Sequence, residues 1–360
     1  RGCPREQVDA SPSGAAREEG EASPSRAVTV AFPTLAPVPT RGPRTSGHLN
    51  MIAWMFRTVF KLAKNTAIGG LGLAGALLAL LVAFQEKLIY VPNAPGLERN
   101  YPFDPTKLGL KFEDVWLTTR DKVKIHCWYL PYSAEPSPGI GKEKKSVPTV
   151  LWLQENAGNM SYRLLFVKPL LQICRCNVLM VMYRGYGSSE GSPSEQGLRM
   201  DADAALEFLE GRDDVDNGNI AVFGRSLGGA VAIDLVARHQ DRVRALVVEN
   251  TFTCIPDMAS KMFPFLKAVG MRRNGAMSFL IRNKWDSAGK IGKIRVPILM
   301  MASTYDEMVP FQHMQELYRR QKSDECEFFP MRAHHMTAYE EVRHEYWPKL
   351  RQFFEKHMEY

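Results

Sequence analysis

The sequence has little that would bind nucleic acid. Its formal charge of +7 is modest for 360 residues, and no dense Lys/Arg block interleaved with aromatics occurs. Cysteine is sparse: the six residues (Cys3, Cys127, Cys174, Cys176, Cys254 and Cys326) are scattered. Cys174-x-Cys176 has neither a zinc nor a redox spacing, and no second pair completes it. Free or buried thiols are therefore expected, with no metal and no cofactor. No retention signal ends the chain at His357-Met358-Glu359-Tyr360. Residues 1–50 lack any hydrophobic period and have few aromatics, being rich in Ala, Pro, Ser, Gly and Arg, so a disordered low-complexity tail is expected there.

What the chain does have begins with an uncharged run of 19 residues at 66–84. As a helix it would be roughly 28 Å long, enough to cross a hydrocarbon core. It is long for the apolar region of a cleaved signal peptide, and Ala83-Phe84-Gln85 is a poor cleavage site. A membrane anchor is expected over 51–88. Arg41, Arg44, Arg57, Lys61 and Lys64 precede the run, and only Lys87 and Arg99 follow closely. That asymmetry predicts a single-pass, type II protein of the endoplasmic reticulum or plasma membrane, with the bilayer as partner. Gly70/Ala74, Gly72/Ala76 and Gly75/Ala79 have the spacing for a weak homodimer through that helix.

From 89 to 360 strand and helix patterns alternate. Residues 114–119 and 123–130 read as a hairpin turning at Arg120-Asp121. Strands at 149–153, 177–182, 220–223, 243–249, 298–302 and 325–329 are separated by helices at 160–173, 194–210, 227–238 and near 312–320. A last helix runs to about 356. This implies an α/β fold with a mainly parallel sheet. Residues 251–294 break the rhythm and read as a short cap insertion.

Gly224-Arg225-Ser226-Leu227-Gly228-Gly229 stands where a strand becomes a helix, the arrangement of a nucleophile elbow. The glycines fit a turn too tight for side chains beside a strained serine. The N–H of Leu227, at the start of the helix, would help bind an oxyanion. A serine hydrolase on such a sheet needs an acid and then a histidine further along the chain. Asp306 follows the strand at 298–302, with Glu307 beside it. Two adjacent histidines, His334 and His335, follow the last strand, and spacing from the strand does not choose between them. The second oxyanion donor is expected from the loop Gln154-Glu155-Asn156-Ala157-Gly158-Asn159, near Asn156. Asn159-Met160-Ser161 is a glycosylation sequon, set aside because a glycan there would crowd the proposed catalytic mouth.

That loop, together with Tyr183-Arg184-Gly185-Tyr186-Gly187-x-Ser189-x-Gly191, the serine segment through Val231, and Glu249-Asn250-Thr251-Phe252, resembles the Bem-type α/β hydrolases. This membrane-anchored group takes in the fungal Bem proteins, the plant wavy-growth protein and animal members. The resemblance runs from about residue 84 to the C-terminus and implies an α/β-hydrolase fold on a type II anchor. It carries Ser226 and Asp306 over directly. The family's histidine segment, Phe-Pro-x-x-x-His-x-Asp-Thr-Trp, laid ungapped on Phe329-Pro330, selects His334 and puts Thr337 on the threonine. Met336 and Ala338 depart from it, which leaves His335 as the alternative base. The expected activity is hydrolysis of acyl esters or thioesters on lipid-like or acylated substrates, through a Ser226–His334–Asp306 triad and an acyl-enzyme. The alternatives are a membrane-tethered scaffold of low activity and a serine exopeptidase. No acidic motif to grip a substrate amine supports the exopeptidase.

Overall fold

Long apolar runs without alternation decide the centre of the molecule. Thr149–Leu153 (β3), Asn177–Val181 (β4), Ile220–Arg225 (β5), Ala245–Glu249 (β6) and Ile298–Ser303 (β7) are buried at every position. That is the signature of parallel strands covered on both faces. Glu113–Thr118 (β1) and Lys124–Leu130 (β2) form the expected hairpin, and Cys326–Met331 (β8) closes the other edge. The computed structural model describes residues 67–133, 147–268 and 270–360, and they build one eight-stranded sheet in the order β1-β2-β4-β3-β5-β6-β7-β8. The β1–β2 and β2–β4 pairs are antiparallel; the others are parallel.

Flanking helices cover this sheet: Leu164–Ile173 (α3), Glu195–Glu210 (α4), Leu227–Arg238 (α5), Gln312–Arg320 (α9), Ala338–Glu341 (α10) and Arg343–His357 (α11). The helix expected at 160–173 begins with a 3-10 turn, Met160–Arg163, capped by Asn159. All described residues lie in a single unit, Ile52–Tyr360. The tail expected at 1–50, and the anchor residues up to 66, lie outside the described residues. The cysteines Cys127, Cys174, Cys176, Cys254 and Cys326 are unpaired.

The membrane span is a correction. The helix there is Ala67–Ala83 (α1), 17 residues. Among the described residues no helix is long and apolar enough to cross a membrane. Its end also has a protein partner: Leu78 packs against the buried cluster of Leu266, Met271 and Ile281 in the insertion. With the span go the expectations that rested on it: the type II topology, the bilayer as partner, the homodimer through that helix, and the single-pass location.

The insertion consists of Ile255–Met262 (α6), Pro264–Ala268 (α7), Ser287–Lys290 (α8) and two 3-10 turns, Ser278–Leu280 and Ile291–Lys293. Much of its apolar content is consumed internally. Leu266, Met271 and Ile281 form its own cluster with Phe263, Met277 and Leu280 around them, and Trp285 belongs to the main core. Phe265 and Phe279 are exceptions, 46% and 68% exposed.

His313 on α9 holds the start of the insertion through a 2.8 Å contact between its Nδ1 and the Thr253 hydroxyl. Burial, with repulsion from Lys261, pulls its pKa from 6.5 to about 4. The unfolded chain therefore takes up a proton that the folded chain refuses, so stability should fall as pH drops from 6.5 to about 4. Urea midpoints across that interval should show this slope, and His313→Gln should flatten it. Equal slopes in both proteins would contradict the assignment.

Candidate active site

Ser226 sits between β5 and α5 with φ +55° and ψ −119°. Such a conformation is costly for a residue with a side chain and persists only where its surroundings over-determine it. Here they do. Its N–H donates to the Glu249 carbonyl at 2.9 Å, and its own carbonyl accepts from the Thr251 hydroxyl at 2.7 Å and from the Gly229 N–H at 3.0 Å. A Cβ at Gly224 would strike the Gly228 carbonyl, and one at Gly228 would strike the Leu153 carbonyl. The two glycines thus let the first turn of α5 lie against β5 and the end of β3. The serine side chain makes no capping bond to the helix, which leaves its Oγ free for chemistry.

Asp306 follows β7, and one carboxylate oxygen accepts the N–H groups of Met308 at 2.9 Å and Val309 at 2.6 Å. The other oxygen lies 2.7 Å from Nδ1 of His335. Both side chains are 1% exposed. A carboxylate on Nδ1 fixes the tautomer with the proton there, and Nε2 becomes the free base. His334 points elsewhere: it is 57% exposed and its Nδ1 meets Glu341 at 3.0 Å. The hydrogen bond and charge of Glu341 raise its pKa. The structure therefore joins Asp306 to His335, not to His334. β8 continues through Pro330 to Met331, two residues past the strand end expected from sequence, with Pro330 tolerated on an edge strand.

One corner holds both the serine and the histidine. Glu249 accepts the Ser226 N–H, and the next residue, Asn250, donates from Nδ2 to the His335 carbonyl at 2.8 Å. Asn250 itself is in the left-handed region, φ +49°, locked by bonds to the Ser303 hydroxyl at 3.0 Å and the Ser303 N–H at 2.7 Å. Sequence reasoning gave this residue no role. The available signal was the polar run Glu249-Asn250-Thr251 directly after an apolar strand.

Leu227 opens α5, so its N–H belongs to the first turn, which has no intrahelical acceptors. Asn156 is different: its side chain is spent on the chain entering the domain. It donates to the Ile89 carbonyl at 2.6 Å and accepts from the Val91 N–H at 3.2 Å and the Tyr186 hydroxyl at 2.7 Å. Only its backbone remains for an oxyanion. The same entering segment, starting with Gln85–Ile89 (α2), grips the insertion: Gln85 bonds the Leu280 carbonyl and Arg282 N–H, and Tyr90 bonds Asn283 and Trp285. It forms a strap from insertion to oxyanion loop. Asn156→Ala should cut the strap and lower kcat about 3- to 10-fold, with a stability loss of about 1–3 kcal/mol from stranded polar groups. Steady-state kinetics and urea unfolding check this, and an unchanged kcat would release the strap from any catalytic part. Asn159 of the sequon is fully buried and bonded to the Glu98 and Asn100 carbonyls, so no glycan fits there. Among the described residues no cluster of three or more His, Cys, Asp or Glu is placed to hold a metal ion.

Residues 152–282 match the family model of the α/β-hydrolase fold. The Arabidopsis thaliana α/β hydrolase domain-containing protein WAV2 is 44% identical over 297 residues, 80% of this chain and 92% of that protein. The chain belongs to the Bem-type α/β hydrolases. Protein bem46 of Schizosaccharomyces pombe is 35% identical over 78% of this chain and 90% of its own length. Among solved structures, an esterase of Pyrococcus furiosus superposes with a TM-score of 0.57 at 20% identity, covering 72% of this chain and 95% of that one. That last likeness speaks for the fold alone. This Bem-type protein is thus a serine-hydrolase-type enzyme.

Proposed function

We propose that this protein hydrolyses acyl esters or thioesters through an acyl-enzyme on Ser226. The observation that carries the reading is a strained, uncapped serine sharing one backbone corner with a buried His335–Asp306 pair. In this reading His335 Nε2 takes the Ser226 proton as Oγ attacks the carbonyl carbon. Asp306 stabilises the imidazolium so formed. The N–H of Leu227 and a backbone N–H near Asn156 receive the oxyanion, a donor of this kind being worth about 2.7–4 kcal/mol. His335 then protonates the departing alkoxide or thiolate. Water, deprotonated by the same histidine, releases the acid and restores the serine.

Purified enzyme with nitrophenyl esters and acyl thioesters of increasing chain length tests the reading. The expected result is a pre-steady-state burst of leaving group, abolished in Ser226→Ala. Turnover that persists in Ser226→Ala, or none in the wild type on any ester or thioester, would overturn it.

A further inference from the structure

Directly beneath the elbow runs a row of four charged side chains, Arg163–Glu155–Arg225–Glu249. Arg163 Nε meets Glu155 at 2.6 Å, Glu155 meets Arg225 Nη1 at 3.0 Å, and Arg225 Nε meets Glu249 at 2.9 Å. The row ends on the Tyr346 hydroxyl of α11, which donates to Glu249 at 2.7 Å. Arg163 also donates to the Ala157 carbonyl at 2.6 Å. The Arg225 guanidinium lies 4.2 Å from the centre of the Phe166 ring and 5.5 Å from that of Tyr339, which fixes its plane.

Resting on the serine-hydrolase reading above, we propose that Arg225 and Glu155 are positioning residues that set the oxyanion loop against Ser226. Arg225 is the residue before the nucleophile. Glu155 and Ala157 belong to the loop that would supply the second oxyanion donor. Glu249 carries the carbonyl that holds the Ser226 N–H. The row therefore ties together the parts whose relative placement decides whether donors meet the developing charge, and an error of about 1 Å there can cost about 10²-fold in rate. Two arginines thus face two carboxylates; burial raises the pKa of Glu249 against the pull of Arg225. Stability alone is a weak reason for such a row, because buried ion pairs seldom outperform well-packed apolar side chains of the same volume. Burial by itself would raise the pKa of Glu155, but Arg163 and Arg225 outweigh it and hold it below its ordinary value, so it is charged at neutral pH. None of the four is required to touch substrate.

The test uses the full chain and reads kcat, KM and thermal midpoint together on one short nitrophenyl ester. Arg225→Met and Glu155→Gln should lower kcat about 10- to 100-fold with KM within about twofold, and Arg225→Lys should recover part of the loss. Tyr346→Phe leaves every charge in place, so it reports even if the first two variants fail to fold. It should lower kcat about 3- to 10-fold at unchanged KM. Folded variants with lowered thermal midpoints but wild-type kcat would show that the row is structural only and overturn the proposal. So would Tyr346→Phe with wild-type kcat, should it be the only variant that folds. A wild type without Ser226-dependent turnover is a different failure: it removes the hydrolase reading, and this proposal with it.

Discussion

His335→Ala is expected to lower kcat/KM by about four orders of magnitude or more, while His334→Ala stays within about threefold of wild type. The size follows from the role: without a base the serine hydroxyl is a poor nucleophile, and what survives is the oxyanion hole and binding. The contrast between neighbours follows from geometry. His335 is buried against Asp306 and tethered through its carbonyl to Asn250. His334 sits in solvent on Glu341, which is 33% exposed at its side chain, and its loss strands no buried group. A four-decade loss is about 5.5 kcal/mol of transition-state stabilisation. Esterase kinetics on both variants check it, with circular dichroism to show that each is folded.

Asp306→Asn should cost nearly as much, about 10⁴-fold in kcat, with little change in KM. The reason is tautomeric. The oxygen that accepts the Met308 and Val309 N–H groups can remain where it is, so the loop should keep its shape. The amide nitrogen then replaces the oxygen facing His335 Nδ1, and a donor there requires Nδ1 to be unprotonated. The proton moves to Nε2, the nitrogen that has to accept from Ser226. The fold survives and the base does not. Asp306→Ala should also lose activity, but with the loop disturbed. The asparagine variant, with wild-type unfolding and almost no turnover, is the sharper measurement.

The sheet and the strained elbow at Ser226 were legible because each is written locally. Unbroken apolar runs gave the parallel strands, and Gly224 and Gly228 stand where backbone must touch backbone. The place of Asp306 was legible as well, since it lies just past a strand of unmistakable pattern. Which histidine meets Asp306 was not. Choosing between adjacent residues needs the register of the loop before them, and that depended on an edge strand running on through Pro330. Asn250 and the Arg225–Glu155 bridge were hidden for a different reason. Their roles come from side chains far apart in sequence, 85 positions between Asn250 and His335 and 70 between Arg225 and Glu155.

The N-terminal helix shows the opposite error. Uncharged composition at 66–84 satisfied every rule for a membrane span, yet composition does not say what the apolar side chains meet. Leu78 meets the insertion's cluster, and the chain leaves the helix at Phe84–Gln85 to bind the same insertion through Gln85 and Glu86. The insertion, expected as a short cap, carries many apolar residues. A good part of them close on one another and on this helix.

The most direct measurement is fluorophosphonate labelling of the folded enzyme, with the modified residue located by peptide mass spectrometry. A single adduct on Ser226 is expected in the wild type and in His334→Ala, and none in Ser226→Ala or, over the same exposure, in His335→Ala. An unlabelled wild type, or labelling that survives in His335→Ala and disappears in His334→Ala, would contradict it.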